Sequence, residues 1–232
     1  MDVPSGRKFS ALDIEIVRLI GKYRFVRREE EPIRLVSGIT SHVYVSGRES
    51  LTDHPDFEWL VGRKIAETIW KSFSYDTLPK CLIGIPVAGA ALAQAAAMYT
   101  HDVPLMSFRS ICHRTMRQIK KEHGTHHTWV DGAPDPMHYS YGAIDNTATN
   151  GGSKVKARTR LLEDGYPVND MFWMIFVDRG QGAVPRLATL GFTNLIVVYI
   201  LLDIVYAFGE LGLWPKEHVK AVKEEMAVFQ FP

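Results

Sequence analysis

The chain has 232 residues, of which 46% are hydrophobic and 23% charged, with a formal net charge of +1. That length and apolar content suit one globular domain with a full core. The near-zero charge supplies no field for a polyanion, which argues against nucleic acid as a main partner, and the longest apolar run, 195–202, is far too short to span a membrane.

Ser10 is placed to cap a helix running to about residue 30, with Leu12, Ile16, Leu19, Ile20 and Tyr23 as its apolar stripe and Pro32 beyond its end. Residues 33–36 and 42–46 read as two short strands around Ser37-Gly38. His54-Pro55 opens a helix to about residue 73. The pattern then changes. Residues 82–87 read as a buried strand, 90–99 as an Ala-rich helix and 103–108 as a second strand. Residues 110–136 are polar and rich in His and Gly, a long loop expected to be mobile; a loop of that length usually carries function. A strand ahead of Asp145, a helix over 153–163, a strand over 171–177, a helix over 184–190, a strand over 195–201 and a helix from Asp203 complete the order. Strands alternating with helices predict an α/β fold, with a parallel sheet of about five strands covered on both faces. Ligands of such sheets bind at the carboxyl ends of the strands. Pro86, Phe108, Asp145 and Asp178 fall near such ends.

The run Asp145-Asn146-Thr147-Ala148-Thr149-Asn150-Gly151-Gly152-Ser153 has the layout of a sugar-phosphate site. Glycines let backbone N–H groups approach an anion, the helix start adds partial positive charge, and the acid can accept from ribose hydroxyls. It is neither the Walker pattern, because no GK[ST] follows, nor the dinucleotide fingerprint, because GxGxxG is absent. Asn-Gly and Gly-Gly are also ordinary turn formers.

Other polar clusters have plainer readings. His126-His127 is a solvated loop pair, since neighbours on an extended chain face apart and no acid or Cys completes a metal set. Asp178-Arg179 reads either as an ion pair closing a strand or as part of a site. Trp129 and the tyrosines at 139 and 141 suit the base of the loop or a subunit contact. Cys81 and Cys112 match no metal or redox spacing and are expected as free thiols. The N-terminus holds no apolar signal core, so a cytoplasmic protein is expected.

Four segments occur in a telling order. They are Leu35-Val36-Ser37-Gly38-Ile39-Thr40-Ser41-His42-Val43-Tyr44, then Gly84-Ile85-Pro86-Val87-Ala88-Gly89, then Arg117-Gln118-Ile119-Lys120-Lys121-Glu122-His123-Gly124, and then the 145–153 turn followed by Asp178-Arg179-Gly180. The set resembles the orotate phosphoribosyltransferases, members of the type I phosphoribosyltransferase family, from about Leu12 to Leu211. Arg-x-x-x-Lys-x-His-Gly is its most specific part.

The resemblance implies a single domain over 1–232. Residues 1–50 would form an N-terminal helix and hood, 55–211 the core and 110–136 the catalytic loop. It implies transfer of phosphoribosyl from phosphoribosyl pyrophosphate to orotate, with Mg²⁺ bound through the diphosphate and no metal held by the protein alone. Lys121, Arg117 and His123 match the cations that meet the leaving pyrophosphate. Asp145 matches the first of two adjacent acids on the ribose hydroxyls, with Asn146 at the second. Thr149, Asn150, Gly151, Gly152 and Ser153 match the 5′-phosphate loop. Val87, Ala88 and Gly89 match the pyrophosphate turn. Arg179, with Tyr44 and Thr149, matches the orotate contacts. A homodimer whose loop crosses into the neighbour's site is implied as well. This sequence departs from the family at Val36, Gln118 and Asn146, where two lysines and an acid are replaced. Those departures also suit the same fold acting on another base, or a weakened relative that binds the phosphoribosyl donor as a sensor.

Overall fold

The computed structural model describes residues 1–35, 37–74, 78–102, 110–121, 128–228 and 230–231. Helix α1 (Ala11–Lys22) begins with the expected cap. Ser10 Oγ accepts from Asp13 N at 3.2 Å, and the Asp13 carboxylate accepts from Ser10 N at 2.9 Å. The helix stops eight residues short of expectation. Arg24 sits at φ 55°, Arg24 N donates to Gly21 O and Phe25 N donates to Ile20 O, a left-handed C-terminal closure. Glycine usually marks such a stop; here an arginine fills it, so the residue pattern hides the helix end.

The chain leaves as strand β1 (Val26–Arg34), antiparallel to β2 (Thr40–Val45). Its charged residues were expected to prolong the helix. Burial of Phe25 and Val26 under the hood and the ladder to β2 override that preference. The register shifts between Arg28 and Ile33, around Pro32, which has no N–H for the ladder. The pair forms a two-stranded hood. Val36, one of the departures, lies outside the described residues.

A short α2 (Glu49–Thr52) and the long α3 (Pro55–Ser72) lead to the main sheet. Its strands are β3 (Lys80–Gly84), β4 (Ile111–Thr115), β5 (Ser140–Ala148), β6 (Phe172–Asp178) and β7 (Asn194–Ile200), all parallel, in spatial order β4-β3-β5-β6-β7. The order reverses between β3 and β5, so their carboxyl ends mark a crevice for ligand. The strand expected over 103–108 lies outside the described residues. Strand β4 instead occupies the start of the stretch whose polarity suggested loop. As an edge strand it buries only one face, with exposed His113 and Thr115 on the other, so its apolar signal is weak.

Side chains alternate across the sheet. Leu82, Ile144, Phe172, Met174 and Phe176 face α1, α3, α4 (Ala88–Asp102), α7 (Leu201–Glu210) and the hood. Cys81, Ile83, Tyr141, Ala143, Trp173 and Ile175 face α5 (Gly152–Glu163) and α6 (Ala183–Thr189). A further helix, α8 (Lys216–Val228), packs on α7 and reaches the hood. No described helix is long and apolar enough to cross a membrane.

Candidate active site

Three polypeptide turns meet near the central crevice. The first, 85–89, follows β3. Ile85 N donates to Ile144 O at 2.9 Å, which docks the turn on β5. Gly89 lies so close to that strand that a Cβ would stand 2.2 Å from Ile144 O, a distance no side chain tolerates. Val87 is half exposed and Ala88 opens α4, so the turn's backbone borders the crevice.

The second turn follows Asp145. The strand continues through Ala148, placing Asp145 and Asn146 inside β5 near its carboxyl end rather than just beyond it. Asp145 is buried. Its carboxylate accepts from Ser153 Oγ at 2.8 Å and Asn146 N at 2.9 Å and pairs with Lys154 Nζ at 2.7 Å. Lys154 is buried too and also donates to Thr147 O. No reading of the motif singled it out. A signal exists: a lysine in the first turn of a helix opposes the helix dipole and therefore calls for an acid partner. Gly151, at φ 78°, opens α5, Asn150 Oδ1 accepts from Gly152 N at 3.0 Å, and Arg186 of α6 donates to Asn150 O at 2.8 Å. Thr149 leads into this turn. The 149–153 backbone is thus pre-shaped at a helix start, which suits an anion.

The third element is the hood. The amide nitrogen of Asn146 donates to Ser46 O, tying β5 to the end of β2. A carboxylate cannot donate. Asn146→Asp is therefore expected to destabilise the ligand-free protein by about 1–3 kcal/mol, because a buried carbonyl loses its donor and faces a negative charge. Paired melting curves without ligand check this; an unchanged or higher melting temperature would show that the tie contributes nothing.

Arg179 is buried, 1% exposed, and turns into the hood. It donates to Gln181 Oε1 at 2.8 Å, Val43 O at 2.9 Å and Ser41 Oγ at 2.8 Å, with Met226 Sδ at 3.8 Å. Burial pulls its pKa down to about 10, and the charge of Glu225 opposes that pull. Glu225, on α8, accepts from Ser41 Oγ and from His42 N. Beyond α8, Gln230 donates to Gly180 O at 3.0 Å and Phe231 N to Gln181 O at 2.9 Å. Gly182, at φ 100°, allows this approach, since a Cβ there would lie 2.2 Å from Phe231 O. Tyr44, next to Val43, stacks under the Arg27 guanidinium at 4.7 Å. Ser41, Glu225 and the C-terminal segment escaped the sequence reading because their partners lie far away along the chain.

Asp178 is buried, and its Oδ1 has no hydrogen-bond partner among the described residues. Burial raises its pKa, against hydrogen bonding from Gly180 and the charges of Lys154 and Arg7. A carboxyl whose pKa is raised on folding disfavours the fold wherever it is ionised, so stability rises as pH falls towards that pKa. Asp178→Asn is accordingly expected to stabilise the ligand-free protein at neutral pH by about 1 kcal/mol, by removing an underpaired buried charge. Chemical denaturation at neutral and mildly acidic pH tests the sign; a less stable variant at neutral pH would refute it.

The base of the cation loop continues the carboxyl end of β4, where Met116 N donates to Gly84 O at 3.3 Å, just before the 85–89 turn. Met116 bridges Val130, and Arg117 N and Lys121 N donate to Trp129 O and Thr128 O, so 116–121 and 128–130 run antiparallel at the loop base. The base docks on the last turn of α5. Trp129 donates to Glu163, Trp129 N and Val130 N donate to Asp164, and Lys120 pairs with Glu163 at 3.1 Å. Arg117 pairs with Asp131 at 2.6 Å. Glu163 ends the helix that Gly152 begins, so about 16 Å of helix separates this base from the 149–153 turn. His123, with His126 and His127, lies outside the described residues. Gln118, the second departure, sits between Arg117 and exposed Ile119.

No protein-family model matches the chain. The orotate phosphoribosyltransferase of Nostoc sp. is 26% identical over 178 residues, 77% of this chain and 79% of its own. That of Pyrococcus abyssi is 29% identical over 176 residues, 75% of this chain and 86% of its own. Among solved structures, the orotate phosphoribosyltransferase of Aeropyrum pernix matches with a TM-score of 0.60 and 25% identity, over 86% of this chain and 99% of its own. Leishmania donovani UMP synthase matches the fold with a TM-score of 0.74 and 19% identity over 95% of this chain, which spans 43% of that longer protein. The chain is thus similar in sequence to two orotate phosphoribosyltransferases and shares the fold of a third.

Proposed function

We propose that the protein transfers the phosphoribosyl group of phosphoribosyl pyrophosphate to N1 of orotate, giving orotidine 5′-monophosphate and pyrophosphate. One observation carries this reading: the buried Asp145 stands beside a helix-opening turn, 149–153, at the carboxyl end of the central strand, facing the 85–89 turn. The names of the Nostoc and Pyrococcus relatives choose orotate among the possible bases.

In this reading the backbone N–H groups of Thr149, Asn150, Gly151, Gly152 and Ser153 hold the 5′-phosphate, and Asp145 accepts from the ribose hydroxyls. Val87, Ala88 and Gly89 take the diphosphate with backbone groups. A Mg²⁺ held on the diphosphate would offset part of its charge; Asp145 already carries the buried Lys154 ammonium, which makes it a poor direct ligand for a second cation. Lys121, Arg117 and His123 neutralise the diphosphate as the glycosidic bond breaks. The pairing of Lys120 with Glu163 on the last turn of α5 supports a homodimer in which the loop serves the neighbour's site. Two free thiols suit a reducing, cytoplasmic setting.

Arg179 meets the orotate carboxylate by exchanging its Ser41 contact for the substrate, an exchange its planar fork can make. Arg179→Ala is expected to weaken orotate by about 1.5–3 kcal/mol and phosphoribosyl pyrophosphate far less. Calorimetric titration of each ligand decides; equal losses would make Arg179 a tie between core and hood only.

A second reading is a protein that binds the phosphoribosyl donor without turnover. The commitment of Asn146 to Ser46 O favours it, because the second acid on the ribose is missing. Mixing orotate, phosphoribosyl pyrophosphate and Mg²⁺ and following orotate absorbance separates the two. Turnover is expected. Donor-induced thermal stabilisation without any absorbance change would replace the enzyme by the sensor.

A further inference from the structure

The chain has two cysteines, and the fold places them side by side. Cys81 of β3 and Cys112 of β4 are direct register partners in the parallel ladder. Register partners point to the same face of a sheet, and both side chains belong to the cluster under α5 and α6. Adjacent strands lie ~4.8 Å apart, inside the ~4.4–6.8 Å range of Cα separations that a disulfide spans. Both thiols are free.

Their surroundings differ. Cys81 is fully buried, whereas Cys112 is half-buried on the edge strand of the sheet. Arg114, two residues along β4, faces the same side. Its guanidinium donates to Tyr166 Oη at 2.7 Å and lies 5.5 Å from the Tyr141 ring. Burial raises the pKa of both tyrosines, so they stay neutral and Arg114 is the charge that faces the pair. The neighbouring Cys81 thiol and the Arg114 charge hold the Cys112 thiol down to about 7 against the opposing effect of burial. The neighbouring Cys112 and burial push Cys81 up. Thiolate character and access fall on one sulfur, and a protonated thiol waits beside it, the arrangement of a redox-responsive pair.

We propose that Cys112 and Cys81 form a hydroperoxide-responsive dithiol, with Cys112 the attacking sulfur and Cys81 the resolving one. The Cys112 thiolate attacks a peroxide oxygen. An S–O bond forms, the O–O bond breaks, and the departing oxygen takes a proton to leave as water or an alcohol. The Cys81 sulfur then attacks the Cys112 sulfur; the S–S bond forms, the S–O bond breaks, and hydroxide leaves with the Cys81 proton as water. The two thiols lose two electrons and the peroxide gains them. The product staples the edge strand that leads to Arg117 onto the strand that leads to the 85–89 turn. This inference is independent of the identity of the base transferred.

The test treats the reduced full-length protein with hydrogen peroxide near stoichiometry, blocks remaining thiols with iodoacetamide after denaturation, and maps peptides by mass. The expected product is a Cys81–Cys112 peptide pair lighter by two hydrogen atoms and restored by dithiothreitol. In Cys81→Ala, Cys112 should stop at a sulfenic acid that dimedone traps; in Cys112→Ser, Cys81 should remain reduced. Recovery of both thiols as alkylated peptides from wild type would overturn the proposal, as would disulfides only between chains. Faster oxidation of Cys81 in Cys112→Ser than of Cys112 in Cys81→Ala would also overturn it. The wild-type mapping stands even if either variant folds poorly.

Discussion

Lys154→Met is expected to lower the unfolding free energy by about 3–5 kcal/mol, since breaking a buried ion pair leaves an uncompensated charge. The Asp145 carboxylate would keep Ser153 Oγ and Asn146 N but lose the ammonium at 2.7 Å, in surroundings where both side chains are almost wholly buried. For a chain of this length the loss corresponds to roughly 6–20 °C in melting temperature. Replacing both partners removes the stranded charge, so Asp145→Asn/Lys154→Met should recover most of the stability while losing the charged carboxylate that would accept from the ribose. Urea unfolding of the two variants decides the matter. A single variant within about 0.5 kcal/mol of wild type would mean that water screens the pair.

Lys121→Ala should reduce kcat roughly 10²–10³-fold with little change in KM for phosphoribosyl pyrophosphate, because a loop cation meets the diphosphate mainly as charge develops there. Steady-state kinetics measures this; a raised KM at unchanged kcat would assign Lys121 to ground-state binding. The position of the loop base at the far end of α5 adds a sharper expectation. If the loop serves the neighbour, mixing Lys121→Ala chains with Asp145→Asn/Lys154→Met chains creates mixed dimers with one intact site. Equal mixing should then restore roughly a quarter of wild-type activity from two inactive parents, as two-fold symmetry requires. No recovery, with subunit exchange verified, would place the loop over its own site.

Strand–helix alternation, read as local periodicity, announced the parallel sheet and the helices from α3 to α7. It did so because each buried strand needs a continuous apolar run and each covering helix an apolar stripe. The turn after Asp145 was equally legible, since its glycines and helix start are neighbours in the chain. Departures from expectation arose where the deciding contact is distant or the local marker is missing. Arg24, not a glycine, closes α1, and the ladder between β1 and β2 then outweighs the helical preference of a run of Arg and Glu. Strand β4 buries one face only and hides in a polar stretch.

The site divides along the same line. Sequence by itself placed Asp145 with its following turn, and Pro86, near the carboxyl ends of strands, because chain order and pattern fix roughly where a parallel strand ends; the first of those strands, read as 82–87, in fact stops at Gly84. Tertiary structure alone decided what those side chains touch. Asn146 meets Ser46 across 100 residues, Arg179 meets Val43 across 136 and Ser41 meets Glu225 across 184. It likewise set Lys154 on Asp145 and Cys81 beside Cys112. Such pairings depend on strand order, register and the path of α8, none of which leaves a periodic trace in the chain. Periodicity reports which face a residue presents; only the assembled fold supplies the partner that burial then requires.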